Sequence, residues 1–460
     1  MKQKNENRSI RSYHLCFLII TSVSLYACES YLDKKSSDNI AIPSSLKDVR
    51  AILDNSLMLN FRSPSMGEAS ADDYFLPMDR YNALARESYR EAYVWSLGIY
   101  NFDNDWATSY YTVYIANVAL DALNGIPKTG ENSAEWNTLS GSALTYRANA
   151  LMRAAWIFCK AYDQESAATD FGLPLRTTSD INVSFPRASV GETYQLILDD
   201  LGEACRLLPE TSQLPTRPTK AGAYGLLARV HLSMRQYDHA FNYADSCLQR
   251  GDALMDYNTE INPAALQPFT AFNKEVIFST LMFYTFANVY PTYGRIDSVL
   301  YASYDDSDIR KTAFFRSMRN GMEFKGAYST GRTSYFTGIS TAEMLLIRAE
   351  CAARKRDIEL ALGDLNTLLA NRISANEFSV LDIDGEANVL KKVLEERRKE
   401  LVMRDLRWID LKRLNKEGAD IIPLRLVDGV AYSIEPNSNR YALPLPNDVV
   451  MNSNLEQNPF

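Results

Sequence analysis

Two aromatic-rich stretches carry side chains suited to holding a sugar. Residues 74–106 place Tyr74, Phe75, Tyr81, Tyr89, Tyr93, Trp95, Tyr100, Phe102 and Trp106 among Asp72, Asp73, Asn82, Asn101, Asp103 and Asn104. Residues 283–304 place Phe283, Tyr284, Phe286, Tyr290, Tyr293, Tyr301 and Tyr304 beside Asn288, Arg295 and Asp297. Flat rings stack on the C–H side of a pyranose, while amide, hydroxyl and charged groups pair with its hydroxyls. Neither stretch keeps a helical or strand period, and irregular segments on a rigid scaffold are where binding residues concentrate. The candidates are therefore Trp95, Tyr100 and Asn101 in the first stretch and Tyr284, Tyr290, Tyr293 and Arg295 in the second. Trp106 and Tyr110 to Tyr114 run on into a helical pattern and are expected in the core.

The N-terminus carries a second kind of chemistry. Lys2, Lys4, Arg8 and Arg11 stand against one acid, Glu6, ahead of the apolar run Leu15 to Ala27, the layout of a secretory leader. That run is too short to span a hydrocarbon core of about 30 Å as a helix. It ends Leu25-Tyr26-Ala27-Cys28, which resembles a lipobox. Cleavage before Cys28 and acylation of its thiol would anchor the mature chain, each buried CH₂ contributing about 0.8 kcal/mol. An ordinary secreted chain cut elsewhere is the alternative.

Other chemistries find little support. The formal charge is −8, with 49 Lys plus Arg against 57 Asp plus Glu, and no basic stripe offsets it, so nucleic acid is excluded as an expected partner. Cys159, Cys205, Cys247 and Cys351 form no C-x-x-C pair and sit in helical apolar patterns, as buried small hydrophobes do. His231 and His239 lack neighbouring ligands at metal spacing, so no metal and no cofactor is expected. Asp305-Asp306-Ser307-Asp308 could ligate Ca²⁺, but the spacing fits no EF-hand loop and a solvated turn is the simpler reading. Glu395 to Glu400 reads as a packed helix with a charged face and a Glu395–Lys399 pair. No nucleophile elbow, zinc-protease, P-loop or dinucleotide signature occurs, so no catalysis is expected.

Helices must position these loops. Leu227 to Ala240 and Arg348 to Ala361 align at an offset of 121 residues, with small residues where two antiparallel helices approach closely, the logic of tetratricopeptide hairpins. Helices are expected at Trp106–Leu123, Ser142–Tyr162, Ser189–Leu208, Thr219–Met234, Tyr237–Gln249, Thr341–Arg354, Ile358–Asn371 and Ala387–Leu414. Glu192, three residues after Ser189, suggests a capping box. Strands are expected at Glu275–Leu281 and Arg440–Leu445. The fold is thus mostly α: tetratricopeptide-like helical hairpins forming a scaffold, with long irregular aromatic-rich loops and few short strands. The domain layout is a leader at 1–27, a lipidated tether at 28–45 and a single domain at 46–460. Its scaffold covers 106–250 and 341–414, with a ligand-loop insertion at about 251–340.

The ordered motifs resemble the SusD/RagB family of nutrient-uptake outer membrane lipoproteins of Bacteroidetes-type bacteria. They are Cys28-Glu-Ser-Tyr-Leu-Asp33, Arg217-Pro-Thr-Lys-Ala-Gly-Ala-Tyr-Gly-Leu-Leu-Ala-Arg-Val230 with Tyr237-Asp-His-Ala240, and Glu343 to Glu350. Glu396-Arg397 through Arg407-Trp408-Ile-Asp-Leu411, Tyr441 to Pro446 and Asn454 to Pro459 complete the series. The resemblance implies a lipid-anchored protein on the outer face of the outer membrane. Such proteins cap a SusC-like TonB-dependent transporter as its lid and hold an oligosaccharide, or sometimes a peptide, for import. The family's ligand loops vary, so the resemblance assigns no individual ligand residue. A protein-binding helical scaffold is the remaining alternative, and exposure of ring faces together on one side discriminates the two.

Overall fold

A computed structural model describes residues 43–101, 104–290, 292–331 and 334–459. Cys28, the leader, most of the tether, Phe102, Asp103 and Pro291 lie outside the described residues. Eight long helices follow one another in space as well as in sequence. They are α1 (Asp105–Asn124), α2 (Ser133–Phe158), α3 (Val190–Leu207), α4 (Lys220–Ser233), α5 (Tyr237–Leu248), α6 (Thr341–Arg354), α7 (Ile358–Ala370) and α8 (Glu386–Glu400). Each packs on the next, and α2, buried continuously from Leu139 to Phe158, forms the spine. Residues 45–460 make one compact unit.

The repeat signal is physical. α4 and α6 both end on an arginine in the left-handed region, Arg235 at φ 62° and Arg356 at φ 68°. The amide N–H of Gln236 then donates to the His231 carbonyl, and that of Asp357 to the Ala352 carbonyl, each at 2.9 Å. Both are Schellman closures, which satisfy last-turn carbonyls and turn the chain back on itself. Ala228, Ala240, Ala349 and Ala361 are fully buried where the paired helices meet. Although 92 residues separate the two hairpins in sequence, α5 packs directly on α6. The intervening segment loops out and returns.

Caps fix the register. Ser189 and Glu192 form the expected capping box at the start of α3. Thr219 caps α4 and Asn104 caps α1, each accepting from a first-turn amide. α2 starts nine residues before the expected Ser142, because Ser133 to Thr138 continues the helix in part-exposed residues.

Two expected elements differ. The single helix over Ala387–Leu414 is two, α8 and α9 (Arg407–Asn415), broken where Met403 and Asp405 take φ 58° and 60°. Asp405 there accepts from Arg153 at 2.7 Å and its amide donates to Glu68, so buried polar bonds override helical propensity. Arg440–Leu445 forms no strand; Asn439–Tyr441 is a 3₁₀ turn. Val276–Phe278 does pair, antiparallel, with Ile339–Ser340. A hairpin unforeseen in sequence joins Leu424–Val427 to Val430–Ser433 through Asp428-Gly429, both at positive φ, the dipeptide that favours such turns.

Cys159, Cys205, Cys247 and Cys351 are buried and unbridged. The Asp305–Asp308 segment places Asp308 deep in the protein, where it caps a short helix and pairs with Arg310 at 2.8 Å and Lys399 at 2.9 Å. Its oxygens are thus already taken by cations of the chain. Asp306 pairs at the surface with Lys311. The Glu395–Glu400 segment is more buried than a charged helix face: Glu396, Arg397, Lys399 and Glu400 all lie inside. Lys399 pairs with Asp308 and Glu396 rather than with Glu395.

Candidate ligand-binding face

The second aromatic loop is clamped from below. Leu281 donates its amide to the Asn60 carbonyl, Ser63 to Leu281 and Phe283 to Ser63, a ladder between residues 60–63 and 281–283. Met282 bonds to the Tyr335 carbonyl on the other side. The Ser65 hydroxyl accepts from the amides of Thr285 and Phe286, and Asp105, in the first turn of α1, accepts from the Thr285 hydroxyl and the Ser65 and Met66 amides. The loop is therefore fixed to the N-terminus of α1, where the helix dipole favours a carboxylate.

Burial pushes the Asp105 carboxyl up to about 7 against those hydrogen bonds, which lower it. The folded value lies above the unfolded one. Stability from this group is complete below the ordinary carboxylate range and is lost as pH rises through about 7. Glu68 and Asp405, also raised first by burial, have the same sign. In thermal unfolding these three carboxyls favour the folded state near about pH 5 over about pH 8, against the opposite contribution of Lys412, whose ammonium burial pushes down to about 7. Asp105→Asn, which can keep the three contacts, should flatten part of that slope; an unchanged slope would contradict the assignment.

Above this clamp two separate ring clusters stand, one around Phe283 and one around Tyr284. Phe283 meets Phe61 edge-on at 5.9 Å, and the Arg62 guanidinium lies 4.8 Å from the Phe283 ring and 5.0 Å from Tyr111. Tyr111 and Tyr114, one turn apart on α1, are 36% and 43% exposed. Tyr284 meets Tyr290 at 5.1 Å and Tyr335 at 5.5 Å, both edge-to-face. Its hydroxyl accepts from the Tyr335 amide at 3.1 Å, and burial holds its pKa well above the ordinary tyrosine value. Tyr290 and Tyr293 are half-buried and keep part of their rings at the surface.

The structure divides the sequence candidates. Tyr284 and Tyr290 meet edge-to-face, and Tyr293 is half-buried three residues further on. Trp95 is turned inward, 4% exposed, its indole N–H donating to the Ser70 carbonyl at 2.9 Å and its ring 4.8 Å from the Arg425 guanidinium. Tyr100 is 3% exposed, with its hydroxyl on the Pro444 carbonyl at 3.0 Å. Arg295 is buried in the ladder that pairs Arg295–Ile296 with Tyr74–Phe75. Asn101 is exposed, and its side-chain oxygen accepts from the Asp448 amide at 2.9 Å. Trp95, Tyr100 and Arg295 thus offer no open ring face or open guanidinium; an aromatic or cation in an aperiodic stretch can serve the core as well as a ligand.

Sequence reasoning placed Tyr111 and Tyr114 in the core. Their outward register on α1 was readable, since they stand opposite the buried Thr112, Val113 and Ala116. A neighbouring recess of about 340 Å³ was also unforeseen. Trp106 and Tyr110, stacked at 4.6 Å, line it with Arg176 and Phe185. The C-terminal helix Asn447–Ser453 borders it, and that helix is held at its start by the Tyr100 carbonyl and Asn101.

The helical-hairpin scaffold thus fixes the irregular loops and leaves Tyr111 and Tyr114 exposed on α1. Two family profiles match the chain, "Starch-binding associating with outer membrane" over residues 30–232 and "SusD family" over residues 270–460, and the chain belongs to the SusD/RagB family. Solved structures share the fold. A putative sugar binding protein from Bacteroides vulgatus is 22% identical, with 91% of this chain and 99% of that one covered and a TM-score of 0.74. A SusD superfamily protein from Bacteroides thetaiotaomicron is 19% identical over 90% and 100%, with a TM-score of 0.73. Surface glycan-binding protein A from Bacteroides fluxus is 17% identical over 91% and 100%, with a TM-score of 0.68. Among curated proteins no match is found. Membership supports a nutrient-binding role and an association with the outer membrane. Among the described residues no helix is long and apolar enough to cross a membrane.

Proposed function

We propose that the protein captures an oligosaccharide on the tyrosine face and delivers it to a SusC-like TonB-dependent transporter, acting as its lid. It is held at the outer membrane, facing the exterior, by lipid on Cys28. The observation that supports this reading is the exposure of Tyr111 and Tyr114 on α1, with Arg62 lying against both the Tyr111 and the Phe283 rings. The role is binding, with no catalytic residue assigned. A lid works if its open and closed positions are close in free energy, so that differential contacts with ligand and partner shift the population.

A glycan and peptide array on the mature chain, followed by calorimetry, tests the ligand. Each of Tyr111→Ala and Tyr290→Ala should weaken a saccharide hit by about two- to thirteenfold, since a ring stack contributes about 0.5–1.5 kcal/mol. A peptide hit with the same sensitivity would keep the receptor and change the nutrient. Binding indifferent to both substitutions would remove the face from the argument. Co-purification with the transporter tests the partner.

A further inference from the structure

Away from the tyrosine face, a recess of about 150 Å³ opens at the C-terminal end of α2, lined by Lys160, Ser166, Asp170, Lys412, Asn437 and Tyr441 among others. With about 30 Å³ as one water's share of liquid volume, this is room for roughly five waters, more than a single ion fills. Lys412 lies in its inner wall and is only 2% exposed. Its Nζ donates to the Trp156 carbonyl at 2.7 Å and the Cys159 carbonyl at 2.6 Å. Those groups belong to the end of α2, whose dipole balances only about half a charge. One of the three Nζ hydrogens remains.

The charges around it fix the sign and size of what would complete the site. Lys160, at the mouth, pairs with Asp170 at 3.1 Å, and Lys416 pairs with Asp163 at 3.1 Å. Among the described residues no carboxylate pairs with Lys412. Burial pushes its ammonium down to about 7, the response of a desolvated cation without a counter-charge. A buried charge is ordinarily paired. A single uncompensated cation calls for a single negative charge, and Asp170 in the wall repels a dianion.

We propose that this recess binds a small organic monoanion, a carboxylate borne on a sugar-sized ring, with the carboxylate on Lys412. The site stands independently of the tyrosine face and of the ligand proposed there. Asp170 is its discriminating residue: its ion pair with Lys160 shapes the mouth, and its charge selects against inorganic phosphate.

The test is calorimetric titration of the mature chain with sodium glucuronate, glucose, acetate and inorganic phosphate near neutral pH. Glucuronate should bind and glucose should not. Asp170→Asn, which leaves the Ser166 contact available, should tighten glucuronate about tenfold, and Lys412→Met should abolish it. Tyr111→Ala and Tyr290→Ala should leave it unchanged, which separates this site from the face described above. Should Lys412→Met fail to fold by circular dichroism, Asp170→Asn carries the test, because it changes the wall without removing the buried cation. Absence of glucuronate binding in both wild type and Asp170→Asn overturns the proposal. So does binding unaffected by Lys412→Met in a folded variant, or phosphate binding as tightly as glucuronate in the wild type. Acetate binding as tightly as glucuronate would overturn the ring-sized assignment.

Discussion

Arg372→Leu is expected to destabilise the protein by about 3–5 kcal/mol, the cost of leaving buried carboxylates without their cation. Arg372 donates to Glu400 at 3.0 Å and to Glu275 at 2.8 Å, reaches the Met255 carbonyl, and lies 3.9 Å from the Tyr257 ring. Glu400 is shared with Arg310, which also holds Asp308 and Glu396. All of these side chains are almost completely buried. Burial by itself would raise the Glu396 carboxyl, yet Arg310, Lys399 and Lys392 hold it well below the usual range. The network therefore joins three parts of the chain: the insertion (Glu275, Asp308, Arg310), the turn after α7 (Arg372) and α8 (Glu396, Glu400). Losing it releases the aromatic loop's foundation as well as the scaffold. Denaturant unfolding of the variant should show a lower midpoint, and ligand binding should fall with it. Paired removal of Arg372 and Glu400 should cost less than the sum of the single changes, since each removal strands the other. A variant within about 0.5 kcal/mol of wild type would show that the network contributes nothing net.

Cys28→Ser is expected to move the protein out of the membrane fraction almost completely. A lipid-modified N-terminus anchors through many buried CH₂ groups at about 0.8 kcal/mol each. Among the described residues no helix can substitute as a membrane span. Metabolic labelling with an alkynyl fatty acid should tag the wild-type chain and not the variant, and fractionation should follow the label. Persistence of the variant in the outer membrane with no label in either chain would overturn lipidation at this residue.

Much of the scaffold was legible because its signals are local. The Ser189–Glu192 box and the apolar periods lie within one or two turns, where helix geometry makes neighbours of i, i+3 and i+4, and the repeat of small residues recurs as a local pattern inside each hairpin. The break at Met403 and Asp405 was not legible. It depends on Arg153 and Glu68, far away in sequence, and no window of Ala387–Leu414 contains them. Asp428-Gly429 is a readable turn dipeptide in a segment with no element expected from the sequence.

The candidate site divides along the same line. Its chemistry was in the sequence: a run of tyrosines, asparagines and arginines with no helical or strand period. Which rings face water was not, because exposure is a property of what covers a side chain. Trp95 is covered by Arg425 and the Ser70 carbonyl, some 330 and 25 residues away, while Tyr111 and Tyr114 are left open because α1 lies at the edge of the helical row. Lys412 directly follows the Arg407–Leu411 segment and carries no signal of its own in the sequence; the recess exists because the end of α2 meets α9 there. The sequence by itself determined the helical periods, the caps, the repeat and the lipobox-like Cys28, all set by neighbours along the chain. Tertiary structure alone decided which aromatics became surface and which charges were left uncompensated, since burial and pairing depend on residues brought together from distant parts of the chain.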